Sequence, residues 1–163
     1  MADIRIKKRK RMRAKDIKAL SIALSEATGA KVFGEDDAVD MAESSDFNLI
    51  FAGNEIVGLI HEERPFLTIR GVLRYKPSLK HVTVDMGAVS FISNGADCMG
   101  PGIVDAESSI RAGDLVWIRD VNNKIPLAIG ISDRSAEELM GKGPGKAIRT
   151  IHFVGDKLWK AGE

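Results

Sequence analysis

The sequence predicts an α+β unit over residues 1–75, followed by a mainly-β unit built as a small barrel. Three observations predict it. Residues 13–29, RAKDIKALSIALSEATG, place Ile17, Leu20, Ala23, Leu24 and Ala27 at the spacing of one buried helix face. Residues 47–61, FNLIFAGNEIVGLIH, form two apolar runs around Gly53-Asn54, a hairpin turn signal. Beyond Pro77, short apolar runs alternate with turn residues, as in small barrels.

The elements follow in order. Residues 4–9 read as a highly charged strand. The first helix ends at Gly29, a residue free to take positive φ. Val39 and Met41 mark a strand before the hairpin, and FLTI (66–69) another after it. YKPSLK (75–80) carries the helix-breaking Pro77, which places the domain boundary there. HVTV (81–84) is a short strand. Asp85 is placed to N-cap a short helix carrying Ala88, Val89 and Ile92, which Asn94-Gly95 ends. LVWIR and IPLAIGI are strands around DVNNK (120–124), a second hairpin signal. Ser135 and Glu138 have capping-box spacing. AIRTIHFV (147–154) is the last strand.

Composition narrows the function classes. The 163 residues include one cysteine, which makes no intrachain disulfide and supplies one metal ligand at most. No apolar run reaches the roughly 18–20 residues of a membrane span, and MADIRIKKRKRMR lacks the apolar segment of a secretory leader. The expectation is a soluble, cytoplasmic protein.

The net charge of +1 hides a strong segregation: +7 over residues 1–31, −9 over 32–63 and +3 over 64–163. Residues 64–80 hold Arg64, Arg70, Arg74, Lys76 and Lys80 and no acid. Such segregation points to one face for a polyanion and an acidic face, Glu35 to Asp46, turned elsewhere.

Several catalytic patterns fail. GKGPGKA (141–147) is not a Walker loop, because position 140 is Met where Gly is required and Ala147 offers no hydroxyl to magnesium. Gly95, Gly100 and Gly102 do not have dinucleotide-fingerprint spacing. Cys98 has no signature base beside it and reads as a small buried hydrophobe; Met99 reads as a second, partly exposed apolar anchor. His61, His81 and His152 show no paired ligand spacing, so neither a metal nor a cofactor is expected. Asp36-Asp37 and Glu137-Glu138 read as solvated turn and helix-cap charges.

Two basic clusters remain. RIKKRKRMR (5–13) carries seven cations in nine residues, a candidate phosphate or ribosome contact through Lys7, Lys8, Arg9, Lys10, Arg11 and Arg13. Strict alternation puts Lys7, Arg9 and Arg11 on one face and Lys8 and Lys10 on the other. The second cluster is Lys142, Lys146, Arg149 and His152, set among small residues that let a sugar-phosphate chain approach.

The ordered set VDMGA, GADCMGPGI, Gly113-Asp114, AIGIS, His152, Asp156, Leu158 and Trp159 resembles a PUA domain over about residues 79–159. The arrangement with a basic α+β domain before it is similar to the malignant-T-cell-amplified and ligatin family and its archaeal relatives. The resemblance implies a PUA pseudobarrel that binds structured RNA, tRNA or rRNA, through the first helix, the following loop and the last strand. By matching positions these are Ser93, Asn94, Gly95, Ala96, Asp97 and Met99, with Arg149 and His152 on the strand. It further implies a noncatalytic role in translation, at the small ribosomal subunit and with a protein partner. Two alternatives stay open: an accessory that presents tRNA or guide RNA to a separate modification enzyme, and an enzyme using Cys98.

Overall fold

The structure is a computed structural model that describes residues 4–34 and 37–163. Glu35 and Asp36 of the acidic stretch lie outside the described residues. The chain forms two compact units, one ending at Ser78 and taking in Lys160–Glu163, the other Leu79–Trp159.

The first unit has a five-stranded antiparallel sheet in sequential order: β1 Ile6–Arg11, β2 Val39–Ser44, β3 Asn48–Ala52, β4 Glu55–His61 and β5 Arg64–Leu67. Helix α1, Ala14–Thr28, lies against β5 and buries Leu20, Leu24 and Thr28, each one turn on from the last. Gly29 ends it at φ 73°, and its N–H donates to the Ser25 carbonyl.

Two expectations change here. FLTI is not a strand throughout. Strand β5 stops at Leu67, and Thr68 N-caps helix α2, Ile69–Tyr75, its hydroxyl accepting from the Gly71 N–H at 3.1 Å. Gly71 lets α2 lie close on β4, since a Cβ there would overlap the Val57 carbonyl.

The alternation expected in the basic strand also fails. Lys7 pairs with Glu43 and Lys10 with Met41, so one extra residue bulges out between them, and Lys8 takes φ 54°. Glu43 and Met41 share a face of β2, so Lys7 and Lys10 share a face too.

The second unit is a six-stranded sheet: β6 His81–Val84, β7 Cys98–Met99, β8 Ile103–Ala106, β9 Leu115–Asp120, β10 Pro126–Ser132 and β11 Lys146–Phe153. The order is β7-β11-β10-β9-β6-β8, antiparallel except for β6 beside β9. Strands β7 and β8 sit at opposite ends of that order, yet only the 3₁₀ turn Gly100–Gly102 separates them in sequence. The sheet must therefore curl until its ends approach, which makes a pseudobarrel. Its core is Val82, Val84, Ile103, Ile118, Ala128 and Ile148, all buried.

Three short helices lie between Met86 and Ala161. Helix α3, Met86–Ile92, starts at Asp85, and helix α4, Ala136–Met140, starts with the expected capping box between Ser135 and Glu138. Helix α5, Lys157–Ala161, was not expected from the sequence; Asp156 starts it by accepting from the Trp159 N–H at 2.8 Å.

Candidate nucleic-acid interface

The loop after α3 is shaped by local bonds and one close approach. Asp85 accepts from the Ala88 N–H at 2.9 Å and fixes the helix start. The helix ends with the Gly95 N–H on the Ile92 carbonyl at 2.9 Å, and Gly95 takes φ 89°. A Cβ at Gly95 would stand 2.7 Å from the Phe153 ring, so the loop needs glycine there for both space and backbone.

Long-range bonds then tie this loop to the last strand. The Thr150 N–H donates to Asp97 at 2.9 Å, and the Thr150 hydroxyl donates to the Ala96 carbonyl at 2.9 Å. Next to it, β7 pairs with β11, Cys98 opposite Ile148 and Met99 opposite Lys146. Along these joined segments Ser93, Asn94, Ala96, Met99, Lys146 and Arg149 are exposed, and Gly95 and Asp97 are half-buried.

The basic loop 141–146 is tied to the residue after β7 and to Arg134. The Gly100 N–H donates to the Gly145 carbonyl at 2.9 Å. Arg134 donates to the Gly143 carbonyl at 2.9 Å and to the Pro144 carbonyl at 2.8 Å. Gly100 has no room for a side chain, because a Cβ would overlap the Gly143 carbonyl. Lys142 is exposed on this loop at φ 53°.

Between α3 and β7 lies a groove of about 300 Å³, lined by Asp85, Ala88, Phe91, Asp97, Met99 and Pro101 among others. Phe91 is 67% exposed on its rim and Met99 51%. Met99 is therefore not an apolar anchor. Cys98 is one, fully buried beneath the groove, and burial pushes its thiol up to about 12. Such a thiol carries almost no thiolate near neutrality, which removes the basis for a nucleophile. Phe91 escaped the sequence reading because one aromatic on a short helix looks like a core residue. Arg134 escaped it because its partners are carbonyls nine and ten residues on.

His152 is corrected. It is 1% exposed and faces inward, Nδ1 2.9 Å from Asp156. Burial pushes the Asp156 carboxyl up, but the hydrogen bond and electrostatics of His152 and the N–H groups of Trp159 and Phe153 outweigh it, holding the carboxyl below its ordinary value. His152 supports the end of β11 rather than meeting a ligand.

The N-terminal basic run divides. Arg9 and Arg11 both bind the buried Asp40, at 2.7 and 2.6 Å, and Arg9 also covers the Phe51 ring at 4.0 Å. The Arg11 hydrogen bond is the largest influence on Asp40; with Arg9 it overcomes the effect of burial and lowers the carboxyl. Lys8 reaches Glu43 at 3.7 Å and Arg13 reaches Asp16 at 3.2 Å, both exposed pairs. Lys7 and Lys10 are exposed. In the other basic segment, Arg74 is matched by Glu55 and Asp37, and Lys80 by Asp114 at 2.8 Å. Asp40 and Asp37 thus spend their charge inside the first unit.

Among the described residues no cluster of three His, Cys, Asp or Glu is placed to hold a metal ion, and no helix is long and apolar enough to cross a membrane.

Comparison with known proteins agrees with this geometry. The PUA domain family model matches residues 80–154. The uncharacterized protein MJ1432 of Methanocaldococcus jannaschii is 38% identical over 74% of this chain and 75% of its own length. Translation machinery-associated protein 20 of Schizosaccharomyces pombe is 32% identical over 65% of this chain and 61% of its own. The malignant T-cell-amplified sequence 1 homolog of Drosophila melanogaster is 30% identical over 62% and 58%. Two solved structures are similar over 96% of this chain and all of theirs. They are hypothetical protein PH0734.1 of Pyrococcus horikoshii (TM-score 0.83, 30% identity) and a conserved PUA domain protein of Thermoplasma acidophilum (TM-score 0.81, 28% identity). With this fold, these relatives and the α3–β7–β11 surface, the chain belongs to the family of PUA-domain proteins.

Proposed function

We propose that the chain is a noncatalytic RNA-binding protein of the translation machinery. The observation that carries the reading is the grouping of Lys142, Lys146 and Arg149 beside an apolar groove with Phe91 exposed at its rim. Phosphates are held by cations and backbone N–H groups, and an unstacked base lies well against an aromatic face. The preceding α+β unit adds Lys7, Lys8 and Lys10 as phosphate contacts, either on the same RNA or on the small ribosomal subunit. The name of one relative, translation machinery-associated protein 20, supports the setting. The inert, buried Cys98 supports the noncatalytic part.

The test is binding to bulk tRNA over a salt series. Each neutralised phosphate contributes roughly −0.7 to −0.9 to the log–log slope. A steep slope that Lys142→Glu, Lys146→Glu and Arg149→Glu each weaken is expected. A flat slope, or no binding at low salt, overturns the reading. Crosslinking in cells with sequencing of the bound RNA then separates ribosomal RNA from tRNA.

A further inference from the structure

Arg134 lies outside every expected contact, yet its place is unusually well fixed. Ser132, buried at the end of β10, holds the Arg134 backbone on both sides: its hydroxyl donates to the Arg134 carbonyl at 2.6 Å and accepts from the Arg134 N–H at 3.2 Å. The next residue, Ser135, is locked by the capping box of α4. From this base the guanidinium reaches along the back of the basic loop and spends both terminal nitrogens on the Gly143 and Pro144 carbonyls. A planar fork suits two adjacent acceptors, which a single ammonium cannot match.

The loop it holds is conformationally demanding. Lys142 sits at φ 53° and Gly145 at φ 90°, and left-handed backbone is costly for a side chain such as lysine. Beside the guanidinium, the Gly100 N–H holds the Gly145 carbonyl, and a Cβ at Gly100 would fall 2.5 Å from an Arg134 Nη1 atom. Three successive residues of the loop, Gly143, Pro144 and Gly145, thus have their carbonyls held by Arg134 or Gly100 while Lys142 and Lys146 stay exposed.

We propose that Arg134 is the positioning residue of the RNA interface: it braces loop 141–146 from behind so that Lys142 and Lys146 meet phosphate in one prearranged conformation. The proposal rests on the RNA-binding reading above. Bracing the loop before binding removes an ordering cost that binding would otherwise meet.

The full chain is tested for tRNA binding over a salt series, wild type against Arg134→Gln and Arg134→Lys, with melting temperature and amide exchange at Lys142, Gly143 and Gly145. Arg134→Gln is expected to lose about tenfold in affinity at an unchanged slope, with faster exchange at those amides. Arg134→Lys keeps the charge and is expected to fall between it and the wild type. A slope lowered by roughly 0.7 to 0.9 in Arg134→Gln marks a direct phosphate contact and overturns the proposal. Unchanged affinity also overturns it. If Arg134→Gln fails to fold, Arg134→Lys decides: weaker binding at the same slope supports the proposal, and wild-type binding overturns it. No salt-dependent binding by the wild type sinks the RNA reading and this proposal together. Wild-type binding indifferent to Arg134 sinks this proposal alone.

Discussion

The Thr150 N–H donates to the Asp97 carboxylate at 2.9 Å across 53 positions of sequence. That bond fastens the loop after α3 to the last strand and sets the distance between the groove and the β11 cations. Asp97→Ala leaves the N–H without its partner, at a cost of about 1–3 kcal/mol. The expected outcome is a lower urea midpoint. An unchanged midpoint would mean that water replaces the carboxylate fully.

Phe91 and Lys146 act on binding in separable ways. Phe91→Ala is expected to weaken RNA binding by about 1–3 kcal/mol at an unchanged salt slope, because stacking releases no counterions. Lys146→Ala is expected to reduce the slope by roughly 0.7 to 0.9. Neither should shift the melting temperature much, since both side chains are exposed. The same change in slope for both variants would dismiss the base-stacking role.

The N-terminal run should split by the same logic. Lys7→Gln and Lys10→Glu are expected to weaken RNA binding and leave stability alone. Arg9→Ala is expected to destabilise the first unit, because it strips Asp40 of one partner and uncovers Phe51. Thermal melting and tRNA titration on the three variants check this. A destabilised Lys10→Glu with a stable Arg9→Ala would invert the assignment.

Asp156 gives the second unit an acid limit. Its carboxyl is held below its unfolded value, so the folded state favours the ionised form. The resulting stability is full above the ordinary carboxylate value of 3.8 and is lost as pH falls below it through the folded value. Asp156→Asn is expected to flatten that part of the stability–pH curve, measured by urea unfolding from pH 5 downward. An acid limb of undiminished steepness would assign the effect to other carboxylates.

What the sequence disclosed follows from how local each cause is. Helix α1 was legible because its apolar spacing and its Gly29 cap lie within one stretch. The capping box at Ser135 and the turn at Gly53-Asn54 were legible for the same reason. Helix α2 was not, because its N-cap, Thr68, lies inside the apolar run FLTI that reads as a strand, and the fit of Gly71 against the Val57 carbonyl is a distant contact. The lysine faces were misassigned because counting by twos fails at an inserted residue. His152 was grouped with its basic neighbours, and only Asp156, four residues on, shows why it turns inward. The loop and strand of the site were placed by resemblance. The bonds that join them, Asp97 to Thr150 and Arg134 to the loop carbonyls, are distant pairings with no pattern in the chain.

The curl of the second sheet leaves a seam where β7 meets the turn into β8, and Met99 and Pro101 line the groove from that seam. Strands β7 and β8 are not neighbours in the ladder, so the groove lies beside the opening between the two ends of the sheet. A guest that touches both α3 and β7 would span that opening.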